Sequence, residues 1–460
     1  MQLVNYVGDR TLTPDDNSLE IKDYLSDEIL GSMPNIRKFD FLDAIGISKQ
    51  QAKEWGKRSL EERISVLQQA GASLKKDDSV DILVAKAGLN PVKWIKRERL
   101  EIADWLENYG DYLRLVFGDK AVERDLVKGL GFIPVAASST SYATQPYVTI
   151  EAIGAGNSVN LKLDSTEPFS GAQVAEHLRE AGAPIQTISY DRKAEGRGEW
   201  GNLLFQHSAR MPIMGSPESI TGIVYGPLED KLTNEFFEMI KEHLHIPEKV
   251  VPLTTHGGLG YIDQNVNLED AIKDVVESSA YQIRVCKRMR ELVIHPEIYD
   301  EAIEKLSKAY SELIVGPVDD YDTEVPKVTQ KYWDIYVDPY IRSANGNGSI
   351  LLGGKLNEPT LLENPSQAVT GSECLYAVLG VRKGNLNFAF ERVEKMADHT
   401  PHNRILEFSV FTQNPTIYED AKKNALAYNI HHNEPTTKAI GLPHEGKFLV
   451  QELSYIQGAS

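Results

Sequence analysis

Between residues 47 and 115 apolar side chains recur at steps of three and four, the period of a helix with one buried face. In ISKQQAKEWGKRSLEERISVLQQAGASLKK the series Leu60, Ile64, Leu67, Gly71 and Leu74 forms such a face, and Ser59 with Glu62 supplies a capping box at its start. Residues 81–115 continue the helical period, with Trp94 and Trp105 as core anchors, so the first quarter reads as helical. The rhythm then changes. Short apolar runs at 132–135 and 159–163 alternate with helical segments at 145–155 and 169–181, and IQTISYD and ITGIVYG read as further strands. This βαβα alternation predicts an α/β fold built on a parallel sheet, whose ligands are expected at the carboxyl ends of its strands. LEDAIKDVVESSAYQ gathers Leu268, Ala271, Ile272, Val275, Val276 and Ser279 on one helical face, with cap chemistry from Asn267 and Asp270. RELVIH reads as a buried strand, a second α/β section runs to about Asn433, and the tail GKFLVQELSYIQGAS reads as a strand of the kind that pairs with another subunit.

Composition narrows the function. The 460 residues carry 67 acidic against 49 basic side chains, a net charge of -18 that argues against a general nucleic-acid or membrane-surface binder. No apolar stretch approaches the length of a membrane span. Two cysteines, Cys286 and Cys374, exclude a disulfide scaffold and suit a reducing compartment. The first twenty residues lack a basic segment followed by an apolar run, so a cytoplasmic protein is expected.

Several stretches, in order, resemble the aldehyde dehydrogenase superfamily: AKEWGKRSLEERISVLQQAGASLKK, AIGAGNSVNLKLDSTEP, REAGAP, NLEDAIKDVV, GGKLNEPTLLENP and SECLYAVLGV. The resemblance implies two Rossmann-like α/β domains plus a small β oligomerisation element. Residues 1–115 and 131–255 would form the dinucleotide-binding domain, 256–440 the catalytic domain, and 116–130 with 441–460 the oligomerisation element of a homodimer or homotetramer. It further implies that Cys286, nine positions before His295, is the nucleophile. A thiolate attacks an aldehyde carbonyl, and hydride loss to a nicotinamide leaves a thioester. An isolated cysteine is more often a small buried residue, and the register of the match is what favours the nucleophile. Arg284, Lys287, Arg288 and Arg290 would help hold the thiolate if they face it; a solvated face is the alternative for such a run. Lys162 and Glu373, with Leu375 beside the latter, stand where the family binds NAD or NADP. Ser165 replaces an acidic residue normally found just after that lysine, which favours tolerance of the 2'-phosphate.

The chain also departs from the family pattern. The water-activating glutamate before a Gly-Gly pair is replaced by Thr255 in THGG, and a threonine hydroxyl cannot take a proton at neutral pH. The oxyanion-binding asparagine falls at Ser139 or Thr140, whose hydroxyl still donates one hydrogen bond. His256 is either a proton-transfer group or a loop residue beside Gly257, itself a cofactor-side candidate. The pyrophosphate turn is either Gly215-Ser216 or the one at Gly226. The two histidines of HHNEP point to opposite faces and make poor joint metal ligands, so they read as a loop near the active-site mouth. Three functions follow. The first is an NAD(P)-dependent oxidoreductase passing an acyl group between Cys286 and coenzyme A or another non-water acceptor. The second is a hydrolytic aldehyde dehydrogenase with its base relocated to Glu269 or Glu277, and the third an inactive binding protein of the same fold. The expected partners are an aldehyde or acyl small molecule and further copies of the chain, with no nucleic acid, membrane or metal.

Overall fold

The computed structural model describes residues 1–137, 141–191, 211–214, 250–253, 257–281, 283, 285–344, 348–366, 374–398, 403–437 and 448–457. The chain does not begin helical. Two antiparallel pairs, Asn5–Val7 with Arg10–Leu12 and Leu19–Lys22 with Ile29–Met33, precede the first helix, Lys38–Trp55. Strands of three to five residues alternate too briefly to leave a legible period. Helix Leu60–Leu74 follows as expected, with the Glu62 amide donating to Ser59 Oγ at 3.2 Å and the Ser59 amide donating to Glu62 Oε2 at 2.7 Å. A Cβ on Gly71 would lie 2.8 Å from the Ala103 carbonyl oxygen, so glycine lets this helix pack closely on Val92–Glu107. The helical stretch 81–115 is interrupted twice. Leu89 turns left-handed at φ 53° after Asp81–Gly88, just ahead of Pro91, and Asn108 leaves helical geometry at φ -107°. Trp94 and Trp105 are both buried.

The first sheet is parallel throughout and runs in the order Val250–Leu253, Met211–Met214, Phe132–Ala137, Ser158–Lys162, Ile185–Ile188. Strands next in sequence fall on one side of Phe132–Ala137 and later ones on the other, which makes a topological switch point between Phe132–Ala137 and Met211–Met214, where Ala137 pairs with Met214. The strand expected in ITGIVYG lies outside the described residues. The second sheet has seven strands in the order Ser349–Leu352, Thr360–Glu363, Val378–Lys383, Met289–Ile294, Gly258–Ile262, Ile405–Phe411, Ala427–His432, with Ser349–Leu352 alone antiparallel. Leu259 and Tyr261 face a core shared with helix Leu386–Ala397, while Ile262 and Leu292 face the one shared with helices Leu268–Ala280 and Tyr299–Ser311. The sheet is thus sandwiched between helix layers, and the fold class is the α/β architecture read from the sequence.

The carboxy-terminal tail differs from the strand expected. It forms a short helix, Leu449–Glu452, and then a strand, Ser454–Ile456, which pairs antiparallel with Val127–Gly129 of its own chain. Asn157 Nδ2 donates to the Leu453 carbonyl at 2.9 Å and pins the tail beneath the first sheet.

Two carboxylic acids in the helical half, Glu98 and Glu151, are buried. Glu151 accepts from the hydroxyls of Tyr109, at 3.0 Å, and of Tyr112, and Glu98 accepts from the Ala143 amide at 3.3 Å. Burial pushes both up to about 8. A carboxyl whose folded-state pKa is raised adds stability that is complete below its unfolded pKa and is lost as pH climbs through the folded value. The melting temperature is therefore expected to fall between pH 5 and pH 8 through these two groups, and the double variant Glu98→Gln/Glu151→Gln to show a flatter profile over that interval.

Candidate active site

Cys286 sits in the link between helix Leu268–Ala280 and strand Met289–Ile294. Asn267 precedes that helix without the capping bond expected of it; its Nδ2 donates instead to Asp270 Oδ2 at 2.5 Å. At the other end Tyr281 turns extended and stacks on Trp94, with ring centroids 4.2 Å apart. The Trp94 indole donates to the Glu324 carbonyl at 3.1 Å and the Tyr281 hydroxyl to Glu324 Oε1 at 3.3 Å, which fixes where the link begins.

The turn itself rests on the Gly257-Gly258 pair. The Gly257 amide donates to the Cys286 carbonyl at 2.9 Å and the Gly258 amide to the Arg288 carbonyl at 3.0 Å. Gly257 has φ +98°, which side-chain-bearing residues rarely adopt, and a Cβ on Gly258 would stand 2.9 Å from the Lys287 carbonyl oxygen. Gly258→Ala is therefore expected to displace Cys286 and, if that cysteine reacts with substrate, to lower kcat about tenfold or more, because small misplacements of reacting groups are costly. Steady-state kinetics beside a thermal melt would separate that loss from unfolding.

Cys286 and Gly257 lie at the amino ends of their strands, not at the carboxyl ends where a parallel sheet was expected to hold its ligand. The carboxyl ends of the second sheet instead border a polar cavity of about 440 Å³ lined by Asn267, Asp270, Lys273, Asp274, Gln413 and Asn433 among others. In the first sheet Lys162 is the last residue of strand Ser158–Lys162, at its carboxyl end. It is buried, its Nζ donates to the Leu163 carbonyl at 3.0 Å, and it lies 5.7 Å from the centre of the Tyr190 ring.

The two cysteines differ sharply. Cys286 is partly exposed, whereas Cys374 is buried and its thiol is pushed up to about 11 by that burial, against the opposing pull of Arg288. The basic run beside Cys286 is no solvated face. Arg288 and Arg290 are both buried, and the Arg288 guanidinium donates to the Tyr376 carbonyl and hydrogen-bonds Cys374. Lys287 directs its ammonium to Glu407 Oε1, 3.9 Å away. Glu407 was missed in the sequence, although a lone acid in the apolar strand ILEFSVF is a visible signal.

The remaining candidates divide. Ser165 is exposed beyond Lys162, and Leu375 is half-buried with its carbonyl accepting from the Tyr332 hydroxyl at 2.7 Å. Ser139, Thr140, Gly215, Ser216, Gly226, Thr255, His256, Arg284 and Glu373 lie outside the described residues. Neither relocated-base candidate is poised for water. Glu269 is held at the surface by Lys305, and Glu277 pairs with Arg97 at 2.8 Å. The paired histidines end a strand, Ala427–His432, and do not form the loop expected. They do point apart: His431 Nε2 meets Glu407 Oε2 at 2.6 Å, and His432 stacks on Tyr418 with ring centroids 4.5 Å apart. Among the described residues no group of three or more His, Cys, Asp or Glu is arranged to hold a metal ion, and no helix is long and apolar enough to cross a membrane.

The chain is similar to known proteins in sequence and in fold. The sequence model of the aldehyde dehydrogenase family matches residues 12–210 and 259–447. The 1-pyrroline-5-carboxylate dehydrogenase of Oceanobacillus iheyensis is 24% identical over 456 residues, covering 94% of this chain and 85% of that protein. The enzyme of the same name from Bacillus cytotoxicus is 23% identical over 457 residues, with the same coverage of 94% and 85%. Among solved structures, 1-pyrroline-5-carboxylate dehydrogenase from Thermus with bound NAD superposes with a TM-score of 0.79 at 18% identity, covering 99% of this chain and 92% of that one. NADP-dependent glyceraldehyde-3-phosphate dehydrogenase from Bacillus halodurans, complexed with NADP, gives a TM-score of 0.76 at 18% identity, covering 99% and 98%. With the family pattern spanning both sheets, this chain belongs to the aldehyde dehydrogenase family and is an NAD(P)-dependent oxidoreductase of that family.

Proposed function

We propose that the protein interconverts an aldehyde and an acyl group carried as a thioester on Cys286, and that coenzyme A or another acceptor takes the place of water. The observation that carries this reading is the seating of Cys286: a partly exposed thiol in a turn clamped by Gly257 and Gly258, in contrast to the deeply buried Cys374. In the oxidative direction the Cys286 thiolate adds to the aldehyde carbon and the carbonyl oxygen becomes an oxyanion. Hydride then leaves that carbon and the thioester remains on sulfur. A second nucleophile attacks the thioester and Cys286 departs as thiolate. NAD(P), when bound, would supply the hydride acceptor, and Lys162, the last residue of Ser158–Lys162, would hold its ribose hydroxyls. The exposed Ser165, standing where the family carries an acid, favours acceptance of NADP. Ser139 or Thr140, with the backbone N–H beside Cys286, would receive the oxyanion.

The non-water acceptor is supported by Thr255, which cannot serve as a base, and by the ion pairs that occupy Glu269 and Glu277. A hydrolytic reaction is the second reading, favoured by relatives named 1-pyrroline-5-carboxylate dehydrogenase. In this reading the β-ladder formed by Val127–Gly129 and Ser454–Ile456 would serve assembly into a homodimer or homotetramer, and the protein would act in the cytoplasm.

Nicotinamide reduction at 340 nm across short, medium and aromatic aldehydes, with and without coenzyme A, in the parent protein and in Cys286→Ala, tests the proposal. Turnover that needs both coenzyme A and Cys286 supports it. Equal turnover without coenzyme A overturns the acceptor and leaves hydrolysis. Absence of turnover in either condition, with NAD(P)H still bound, points to an inactive binding protein.

A further inference from the structure

We infer that Glu407, oriented by His431, is a positioning residue for the nucleophile turn, an inference that rests on the reading of Cys286 as the nucleophile. Glu407 is fully buried in Ile405–Phe411, a strand that is otherwise apolar apart from Ser409. Burying a carboxylate is unfavourable unless partners compensate, and a well-packed apolar residue often serves stability equally well. Two of its contacts lead towards Cys286, and two hold it from the neighbouring strand Ala427–His432. Glu407 Oε1 lies 3.9 Å from Lys287 Nζ and accepts from Asn429 Nδ2 at 3.2 Å, while Oε2 meets His431 Nε2 at 2.6 Å. The Glu407 amide donates to the Gly257 carbonyl at 3.2 Å, and the Gly257 amide donates to the Cys286 carbonyl at 2.9 Å.

These contacts close a ring. It runs from Cys286 to Gly257, from Gly257 to Glu407, from Glu407 to Lys287, and through one peptide unit back to Cys286. The backbone half of the ring sets the height of the turn, and the Lys287–Glu407 pair sets its rotation, so the direction of the Cys286 side chain depends on both. Register pairing of Glu407 with Asn429, and of Ser409 with His431, puts the acid and the imidazole on one face of the sheet, which leaves the carboxylate little freedom to turn away.

The test uses Glu407→Gln, Lys287→Met, His431→Gln and the double variant Glu407→Gln/Lys287→Met in the full-length enzyme. Three readouts are needed: kcat with KM, NAD(P)H affinity by fluorescence, and the second-order rate of Cys286 alkylation by iodoacetamide. Each of the first two single variants is expected to lower kcat and the alkylation rate about tenfold, with cofactor affinity unchanged, and Glu407→Asp to restore part of the loss. The double variant is expected to be no worse than the poorer single, since both remove the same contact. Losses that multiply, or rates within twofold of the parent, would overturn the inference. If Glu407→Gln lowers the melting temperature substantially, Lys287→Met decides the matter, because its side chain is partly exposed and tolerates the change. Cys286→Ala separates the two claims. Full turnover in that variant sinks the nucleophile reading itself, whereas an inactive Cys286→Ala beside a normal Lys287→Met sinks only the positioning role.

Discussion

Cys286→Ala is expected to lower nicotinamide-dependent turnover by about a thousandfold or more, because deleting a covalent nucleophile leaves only binding and oxyanion stabilisation. The fold should survive the change. The thiol is partly exposed, and the turn is held by backbone bonds from Gly257 and Gly258 that a side-chain truncation does not touch. Cys374→Ser provides the contrast. That thiol is buried with its proton held on, so its replacement is expected to cost stability while sparing the chemistry. Circular dichroism melts and initial rates on the same preparations would show the two variants failing in opposite ways.

The largest expected loss of stability is at Glu291. This carboxylate, fully buried in the central strand Met289–Ile294, accepts from Arg382 Nε at 2.8 Å and from Arg392 at 2.6 and 3.0 Å. Glu291→Ala would leave two largely buried guanidiniums without their shared anion, and breaking a buried pair in this way commonly costs about 3–5 kcal/mol. Urea unfolding should show the midpoint moving down accordingly. A change below about 1 kcal/mol would mean that water reaches both arginines once the acid is gone.

Much of this fold was legible because its longer elements carry their periods openly. Leu60–Leu74 announced itself through its apolar stripe and through Ser59 and Glu62, and the strands of the first sheet through apolar runs between helical segments. What escaped was local or distant. The strands before residue 34 are too short to show alternation, and the break at Leu89 is a single left-handed residue. The tail hid its helix because LVQE has no room for a period of 3.6. The candidate site is proposed from register, with Cys286 before RELVIH and Gly257-Gly258 as a pair, and the structure brings these two segments together. Its support was not legible, since Trp94 reaches Tyr281, and Glu407 reaches Lys287, only once distant segments are folded together. The basic run illustrates the same limit. Composition told nothing of the inward turn of Arg288 towards Tyr376.

The central claim is that Cys286 carries the acyl group. Intact-protein and peptide mass spectrometry after acid quenching, with aldehyde and NAD(P)+ or with an acyl-coenzyme A, tests it most directly. The expected result is one acyl adduct per chain, located on the peptide that contains Cys286, released by hydroxylamine and absent from Cys286→Ala. Turnover by Cys286→Ala at the parent rate, with no adduct on the parent protein, would contradict the account.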